Sequence, residues 1–408
     1  MKKLIALLIL SAITLTACGV NTPNLTDGIT PRDNIPTANS ADFGSVIADF
    51  GVRLFKESFE DDKNTLISPL SVLSALAMTA NGADNETLAQ MESVLGANVK
   101  TLNTYVKSYI EALPASEKSK LSLANSIWFT DDERFTVNDN FLQTNADYYC
   151  ADIYKAPFNS ATCRDINSWV KEKTDGMIPK VLDQIPEDAV MYLINALAFD
   201  AEWQEIYEKY QVSDAIFTTE DGSKRTVDMM YSDEYGYLES ENATGFIKYY
   251  KQSKYAFAAL LPNEGVTLAD YVDTLEGAEV YEMLQSPSGA TVEAGIPKFE
   301  FEYSCEMADI LAAMGMPDAF SPLVADFTKL GTSTRDNIFI SRVLHKTYIS
   351  VAEKGTKAGA VTVITMADCA AAERVDPKSV ILNRPFVFML IDTETNLPFF
   401  IGTVTDIA

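Results

Sequence analysis

The segment from Val190 to Phe199 is almost entirely apolar, and it restricts the fold more than any other stretch of the chain. A strand without a polar face must be covered on both sides, as in the centre of a layered sheet. The chain has 408 residues, 47% of them hydrophobic, which is enough for one large domain or two ordinary ones. No internal repeat or composition break divides it. The sequence therefore predicts one mixed α and β domain built around this strand.

Other patterns place most helices in the first half of the chain and most strands in the second. Apolar residues at helical spacing predict helices from Ser40, from Ser68-Pro69, and over Glu86–Leu95, Leu102–Leu113, Asp165–Lys173, Leu268–Leu284 and Met307–Met314. Alternating or β-branched runs predict strands over Thr65–Ile67, Leu121–Phe129, Val292–Tyr303, Ile338–Ala352, Ile381–Ile391 and Phe399–Val404, with a β-rich block over Ile216–Leu261.

The N-terminus has the pattern of a secretion signal, with two lysines before an apolar run from Leu4 to Leu10. Leu15-Thr16-Ala17-Cys18 resembles the box of bacterial lipoproteins, in which the chain is cut before the cysteine and a lipid is attached to it. We therefore expect a signal peptide over residues 1–17, lipidation at Cys18 and a flexible tether over residues 18–39. The domain would then be extracellular or on the cell surface, anchored to a bacterial membrane through the lipid. An ordinary secretory signal with a chance cysteine is the alternative.

Charge and cysteine spacing narrow the range of partners. The formal net charge of -26 argues against nucleic acid, whose phosphates need a basic surface. Cys150, Cys163, Cys305 and Cys369 fit neither a metal-binding spacing nor a disulfide-dense scaffold. We expect mostly free thiols, although the sequence leaves a bond between Cys150 and Cys163 open.

Recognisable catalytic motifs are missing from the sequence. Its one histidine, His345, lies on a predicted strand, where a lone histidine is more often a buried hydrogen-bonding residue than a catalyst. No nucleophile elbow, zinc-protease motif, phosphate loop or dinucleotide-binding glycine pattern is present. Acidic residues are too numerous for any carboxylate pair to be informative, so an extracellular hydrolase stays a minor alternative. We expect a protein that is not an enzyme and that uses no metal or cofactor.

The stretch from Val351 to Asp376 has strand character but few large apolar groups to fix it in a core. Alternate residues from Thr356 through Ala358 and beyond are small or neutral, whereas Lys357 falls on the other register. The β-branched residues that follow favour a strand over a linker. The pattern predicts a loop that can become a strand, with an ordinary surface loop as the alternative.

Motifs along nearly the whole mature chain resemble those of the serpins, the serine protease inhibitor family. The resemblance is carried, in family order, by Asn64–Ser71, Asn125–Trp128, Ile166–Val170, Lys173–Gly176, Leu193–Phe199, Trp203, Glu353–Thr356, Asn383–Phe388 and Pro398–Gly402. It implies an α+β fold over residues 40–408 with three β-sheets and about eight or nine helices. It also implies a monomer with an exposed reactive-centre loop at about residues 354–376.

The resemblance further assigns roles to single residues. The shutter, a polar cluster beneath the two central strands of the main sheet, comprises Ser68, Ser71, Asn195 and His345. The breach, where the loop first enters that sheet, comprises Trp203, Lys298 and Glu353. The hinge at the start of the loop comprises Glu353, Gly355, Thr356, Ala358 and Ala360. The hinge residues that would point into the sheet are uncharged, which favours an active inhibitor.

The implied function is suicide inhibition of serine proteases. The protease attacks the loop and forms a covalent acyl-enzyme, and the cut loop then inserts as a new strand and traps the ester. Family spacing places the reactive bond at Cys369-Ala370, with Met366-Ala367 as a second candidate. Small residues around the bond favour an elastase-like target or, less well, a chymotrypsin-like one. The alternative is a non-inhibitory surface binding protein with the same fold.

Overall fold

The computed structural model describes residues 20–33, 35–36, 40–113, 119–131, 135–186, 189–334, 337–356 and 378–407. These ranges contain nine α-helices and three β-sheets, which confirms the predicted α+β fold. The helices are α1 (Ser40–Ser58), α2 (Pro69–Ala80), α3 (Asn85–Leu95), α4 (Val99–Ala112), α5 (Asp139–Tyr149), α6 (Ser160–Lys173), α7 (Leu268–Thr274), α8 (Gly277–Gln285) and α9 (Ala308–Ala313).

The strands are β1 (Thr65–Ile67), β2 (Ser119–Thr130), β3 (Phe135–Val137), β4 (Asp152–Ala156), β5 (Met191–Glu202), β6 (Val212–Thr218), β7 (Lys224–Glu239), β8 (Ala243–Tyr249), β9 (Tyr255–Pro262), β10 (Ser288–Pro297), β11 (Phe299–Glu306), β12 (Gly331–Ser333), β13 (Arg342–Ala352), β14 (Gly355–Thr356), β15 (Lys378–Ile381), β16 (Phe386–Asp392) and β17 (Leu397–Val404). Six strands form the main sheet, in the order β11-β13-β14-β5-β2-β4. A nine-stranded sheet has the order β1-β17-β16-β9-β8-β7-β10-β15, with β6 beside β7. The strands β3 and β12 form the third sheet.

β5 lies in the middle of the main sheet and is covered on both faces, as the apolar segment predicted. Leu193 and Phe199 face the large core that α1 and α2 share with the nine-stranded sheet. The alternate residues Tyr192 and Ile194 pack in a second core, beneath Trp169 of α6. Because neighbouring side chains of a strand point to opposite faces, both registers of this strand need apolar residues.

Three predicted elements are divided in the structure. The strand predicted over Ile381–Ile391 is shared between β15, which ends at Ile381, and β16, which begins at Phe386. The strand predicted over Val292–Tyr303 becomes β10 in the nine-stranded sheet and β11 in the main sheet, and Pro297 ends the first of them. Proline supplies no N–H to a ladder, which makes it a natural place to leave a sheet. The helix predicted over Leu268–Leu284 becomes α7 and α8. Gly277 begins α8 so close to α1 that a Cβ would lie 2.3 Å from Asp49 Cα.

Residues 20–33 pack against the domain, which differs from the flexible tether expected over residues 18–39. Three carboxylates hold the segment: Asp165 accepts from Thr22 Oγ1 at 2.7 Å, Asp152 from Asn24 Nδ2 at 2.8 Å, and Asp147 from Arg32 Nε at 2.7 Å. The backbone N–H of Leu25 also donates to Ile153 O of β4 over 2.6 Å. The segment is polar in sequence because it satisfies polar groups of α5, α6 and β4. The expected signal peptide and Cys18 lie outside the described residues.

Cys150, Cys163 and Cys305 are free thiols, so the bond between Cys150 and Cys163 is not formed. Cys163 is buried, and burial raises the pKa of its thiol. Across the described ranges, no helix is both long and apolar enough to cross a bilayer. The same ranges contain no group of three or more His, Cys, Asp or Glu placed to bind a metal ion.

Candidate functional site

The start of the predicted loop already lies inside the main sheet, as the two-residue strand β14. β14 runs antiparallel to both neighbours, with Thr356 opposite Val351 of β13 on one side and Ala201 of β5 on the other. The strands β13 and β14 are joined by a turn at Glu353-Lys354 and form a short hairpin. The predicted loop therefore begins as a short strand that lies between β13 and β5 and pairs with both.

Beyond β14, the strands β5 and β13 pair directly along only part of their length. Their parallel register runs from Tyr192 opposite Arg342 to Asn195 opposite His345. Between this ladder and β14, the described structure shows no pairing of residues 196–200 with residues 346–350. The two strands are thus joined at one end of their seam and held apart by β14 at the other.

Thr356 is the first hinge residue whose side chain points into the core. It is 2% exposed, and its Oγ1 lies 2.5 Å from Tyr250 Oη. Tyr250 stacks on Trp203 with ring centroids 4.3 Å apart and an interplanar angle of 9°. Burial raises the pKa of Tyr250 well above its ordinary value, so the phenol stays neutral. A buried hydroxyl needs a polar partner, and Thr356 and Tyr250 provide one for each other.

Gly355 occupies a position that other residues do not fit. Its φ is 154°, and a Cβ there would lie 2.0 Å from Ala201 O. A side chain would therefore meet both an unfavourable backbone conformation and the backbone of β5. The absence of a side chain lets the hinge approach β5 closely enough to form a ladder.

The chain that follows β5 donates hydrogen bonds to the hairpin turn. Trp203 donates from Nε1 to Ala352 O and from its backbone N–H to Lys354 O, each over 2.9 Å. The backbone N–H of Tyr207 donates to Glu353 O, also over 2.9 Å. We call residues 203–207 the clasp, because they hold three consecutive carbonyls of this turn region.

A partly exposed ion network holds the same turn from the other side. Lys298 Nζ lies 3.0 Å from Glu353 Oε1 and 3.1 Å from Asp228 Oδ2. Hydrogen bonding to Glu353 raises the pKa of Lys298. Partial burial opposes ionisation of Glu353, but hydrogen bonds from its own backbone N–H and from Lys298 outweigh it and lower its pKa. The three residues expected at the breach, Trp203, Lys298 and Glu353, all meet at this turn.

The residues expected at the shutter lie at the end of the direct ladder. Buried His345 accepts a hydrogen bond at Nε2 from the backbone N–H of Ser68 over 3.1 Å. Burial lowers the pKa of His345 to about 3, so the imidazole is neutral. Ser68 Oγ caps α2 by accepting from the N–H of Ser71 at 3.3 Å. The backbone of Asn195 is opposite His345 on β13 and opposite Asn125 on β2.

Several residues expected in the hinge and at the reactive bond lie outside the described residues. Two tyrosines contact the hinge or its turn although the sequence did not predict it. Ala358 and Ala360 of the hinge and both candidate bonds, Cys369-Ala370 and Met366-Ala367, lie outside. Tyr207 and Tyr250 contact the hinge or its turn, yet nothing in the sequence indicates this. Both follow or flank strands in aromatic-rich stretches, where any tyrosine is a reasonable core residue.

A main sheet that already holds the first residues of a long loop is the architecture of the serpins. Residues 45–407 match the family model described as Serpin (serine protease inhibitor). The chain therefore belongs to the serpin family.

Relatives of known sequence cover most of the chain. An uncharacterized serpin-like protein of Thermococcus kodakarensis is 28% identical over 365 residues, which are 88% of this chain and 84% of that protein. Serpin B8 of Bos taurus is 31% identical over 372 residues, which are 86% of this chain and 96% of that protein.

Among solved structures, the thermophilic serpin Tengpin in its native state has a TM-score of 0.90 and 50% identity, covering 95% of this chain and 100% of that chain. Tengpin in its latent state has a TM-score of 0.81 and 48% identity, covering 92% and 100%. Thyroxine-binding globulin in complex with thyroxine, at 22% identity and a TM-score of 0.77 over 90% and 100% of the two chains, shares the fold alone. The conformation described here is closer to the native Tengpin structure than to the latent one.

Proposed function

We propose that this chain inhibits serine proteases as a suicide substrate whose cut loop inserts into the main sheet. The observation that carries the proposal is the position of β14. Gly355 and Thr356 already occupy the beginning of a new strand between β13 and β5, paired with both. Membership of the serpin family makes a serine protease the expected partner.

The register of β14 specifies where further loop residues would lie after insertion. Because Thr356 is opposite Ala201, each added residue moves one position back along β5. In continuous register, Ala358 comes opposite Phe199, Ala360 opposite Leu197 and Thr362 opposite Asn195.

Phe199 and Leu197 face the large core, so the incoming side chains on this face must be small and uncharged, as they are. Lys357 comes opposite Asp200 on the other face, where opposite charges attract.

Full insertion requires the shutter to open. Thr362 would reach the row of Asn195 and His345, which is the last row of the direct ladder between β5 and β13. Insertion beyond Thr362 would break the direct ladder between β5 and β13. Two ladders would replace it, one between the new strand and β5 and one between the new strand and β13. The inserted state therefore gains pairing that the intact protein lacks. The intact protein is held in its native form by a barrier, since its own loop could pair more completely.

The inserted strand gives the inhibitor its mechanical effect. About 14 inserted residues at ~3.3 Å each would carry the bound protease roughly 45 Å. Pulling on the nucleophile would distort the oxyanion hole that deacylation needs, and the ester would remain. The chain supplies the bait and the new strand, and the protease supplies all the catalytic groups. We expect an elastase-like or chymotrypsin-like target and cleavage at Cys369-Ala370.

The non-inhibitory alternative receives less support from the hinge. A binding protein that never inserts its loop has no need for small, uncharged residues on the inward register. Here Thr356 is buried in the sheet, and Ala358 and Ala360 follow on the same register. Likewise, only glycine fits at position 355, because the loop there lies against the backbone of β5.

We also propose that the protein acts at a bacterial cell surface, with its signal peptide removed and a lipid on Cys18. The supporting observation is the order of charged, apolar and small residues before that cysteine. Labelling of growing cells with a fatty acid should mark the wild-type protein and leave Cys18→Ala unlabelled. Equal labelling of the two would contradict lipidation at Cys18.

The inhibitory proposal is tested by mixing the mature protein with elastase-like, chymotrypsin-like, trypsin-like and subtilisin-like proteases. We expect an SDS-stable complex with one of the first two classes, and a released C-terminal peptide whose mass shows that it begins at Ala370. A peptide that begins at Ala367 would move the reactive bond to the second candidate. Cleavage by all four proteases without any complex would refute suicide inhibition.

A further inference from the structure

Lys248 of β8 is the one lysine or arginine that is fully buried among the described residues. It is 2% exposed, and its Nζ lies 2.6 Å from Glu234 Oε1 of β7. Removing two charges from water is unfavourable, and an apolar pair of similar size is often equally stable or more so. The location of this pair therefore calls for an explanation other than stability.

Lys248 is directed at the aromatic side chains of the clasp. Its Nζ lies 4.5 Å from the ring centroid of Tyr207 and 5.6 Å from that of Trp203. An ammonium group over an aromatic face is attracted to it, most strongly when water is excluded. The Ser232 hydroxyl donates to Glu234 Oε1 over 2.7 Å and lies 3.1 Å from Tyr207 Oη. The cation thus fixes the face of the Tyr207 ring. The Ser232 hydroxyl gives its single proton to Glu234, so its contact with Tyr207 Oη is the weaker, neutral one, and the cation–π contact is the main interaction that positions the ring.

The clasp transmits this position to the hairpin turn. The N–H groups of Tyr207 and Trp203 hold Glu353 O and Lys354 O, respectively. In a β-hairpin, the turn fixes the register of both strands. Insertion of the loop would lengthen the hairpin of β13 and β14 without changing this turn. If the cut loop inserts as proposed, the inserted strand would grow from this turn.

We propose that the Lys248–Glu234 pair is a positioning element for the reactive loop, which acts through Tyr207 and Trp203 to keep the Glu353-Lys354 turn in the register from which insertion proceeds. This inference rests on the proposed function, because it concerns the speed of the same insertion. Without the pair, the turn loosens and β14 leaves the sheet, so that insertion must begin from an unpaired loop. Slower insertion gives an attached protease more time to deacylate.

Two sets of variants separate positioning from stability. The double substitution Lys248→Met with Glu234→Met removes both charges and keeps apolar side chains of similar length, so no lone charge is left buried. Tyr207→Leu removes the aromatic face but keeps the backbone donor. Tyr207→Phe keeps the face and serves as its matched control. If the double variant does not fold, the comparison of Tyr207→Leu with Tyr207→Phe still tests the proposal.

Insertion is measured first without any serine protease. The loop is nicked with a broad-specificity metalloprotease, which forms no ester with it, and the gain of urea resistance is followed on gels from the time of nicking. The double variant and Tyr207→Leu should gain resistance about five- to thirtyfold more slowly than the wild type, the range between the loss of an exposed and of a desolvated cation–π contact. Tyr207→Phe should match the wild type. A purely structural role predicts the opposite sign, because a weakened native sheet opens faster.

The second measurement is the molar ratio of inhibitor to a target protease needed for complete inhibition. This ratio should rise in the two slow variants and stay at the wild-type value in Tyr207→Phe. Nicked variants that gain resistance at the wild-type rate or faster would overturn the positioning role. A wild-type chain that gains none after nicking would overturn both proposals. If insertion depends on Lys248 and Tyr207 but no protease is trapped, suicide inhibition fails and the positioning role stands.

Discussion

His345 Nε2 accepts a hydrogen bond from the backbone N–H of Ser68 over 3.1 Å, so the only histidine of the chain joins the main sheet to the start of α2. An imidazole nitrogen can accept this bond only when it is unprotonated. His345 also lies in the last row of the direct ladder between β5 and β13. Protonation and strand separation therefore act on the same place in the sheet.

Acid should weaken the fold through His345. The pKa of this group falls from an ordinary value of 6.5 to about 3 in the folded chain. Between these values the unfolded chain binds more protons, so stability is complete above the higher value and falls with pH by up to ~1.4 kcal/mol per pH unit. Urea midpoints measured from neutral pH into this range should fall more steeply for the wild type than for His345→Asn, which offers a non-titrating acceptor. Equal slopes would show that His345 is not the responsible group.

Gly355→Ala should expel β14 from the sheet. The new Cβ would lie 2.0 Å from Ala201 O at a φ of 154°, and strain of this kind costs of order 1–3 kcal/mol. Hydrogen exchange should speed up at the Thr356 amide, and the thermal midpoint should fall. Gly289→Ala is the matched control, because a Cβ at Gly289 would have no other atom within 4 Å. Equal shifts in the two variants would contradict a special role for Gly355.

A charge on the inward register should convert the inhibitor into a substrate. Thr356 is already only 2% exposed in β14, beside Tyr250, so the guanidinium of Thr356→Arg could stay in the sheet, before or after insertion, only as a buried charge. The loop should still be cut, but the yield of SDS-stable complex should fall at least about tenfold, because an unpaired buried charge is strongly unfavourable. Lys357→Arg adds no charge on the outward register and should keep the wild-type yield. Similar losses in both variants would argue against the assigned register.

Asn24→Ala should release the N-terminal segment from the domain. Asn24 Oδ1 accepts from Ile153 N at 3.0 Å and from Thr26 Oγ1 at 2.7 Å, while its Nδ2 donates to Asp152. Losing these bonds and leaving their partners unsatisfied should cost about 1–3 kcal/mol locally. Limited proteolysis should then cut within residues 20–33, and the exposed neighbour Asp27→Ala should stay resistant there. Unchanged resistance in Asn24→Ala would mean that other contacts suffice.

Local chemistry made much of the fold predictable. Ser68-Pro69 marks the start of α2 because serine caps a helix and proline fits its first turn. The apolar run over Val190–Phe199 required cover on both faces, and β5 has it. By contrast, α5 was not predicted, since its sequence is largely polar and only Phe141 and Tyr149 are large buried apolar residues.

The finer geometry of the site depends on contacts between distant parts of the chain. β14 has only two residues, too few for any periodic signal, and it exists because β13 and β5 lie on either side. Lys248 would be expected at the surface, as lysines usually are. Its burial follows from pairing with Glu234 across two strands and from the nearby Tyr207 ring. The spacing of residues in the sequence does not predict such an arrangement.

If Cys18 carries the proposed lipid, the docked N-terminal segment determines which end of the main sheet is attached to it. Asn24 bridges to Tyr154, which lies in the cross-strand row of Tyr192, whereas the hinge pairs with Ala201 further along β5. That separation along the strand is roughly 30 Å. Val20 packs against the second core, and only Gly19 separates it from Cys18, so a lipid on Cys18 would be attached close to the folded domain. The proposed lipid would then be attached near one end of the main sheet, and the hinge would lie roughly 30 Å further along β5.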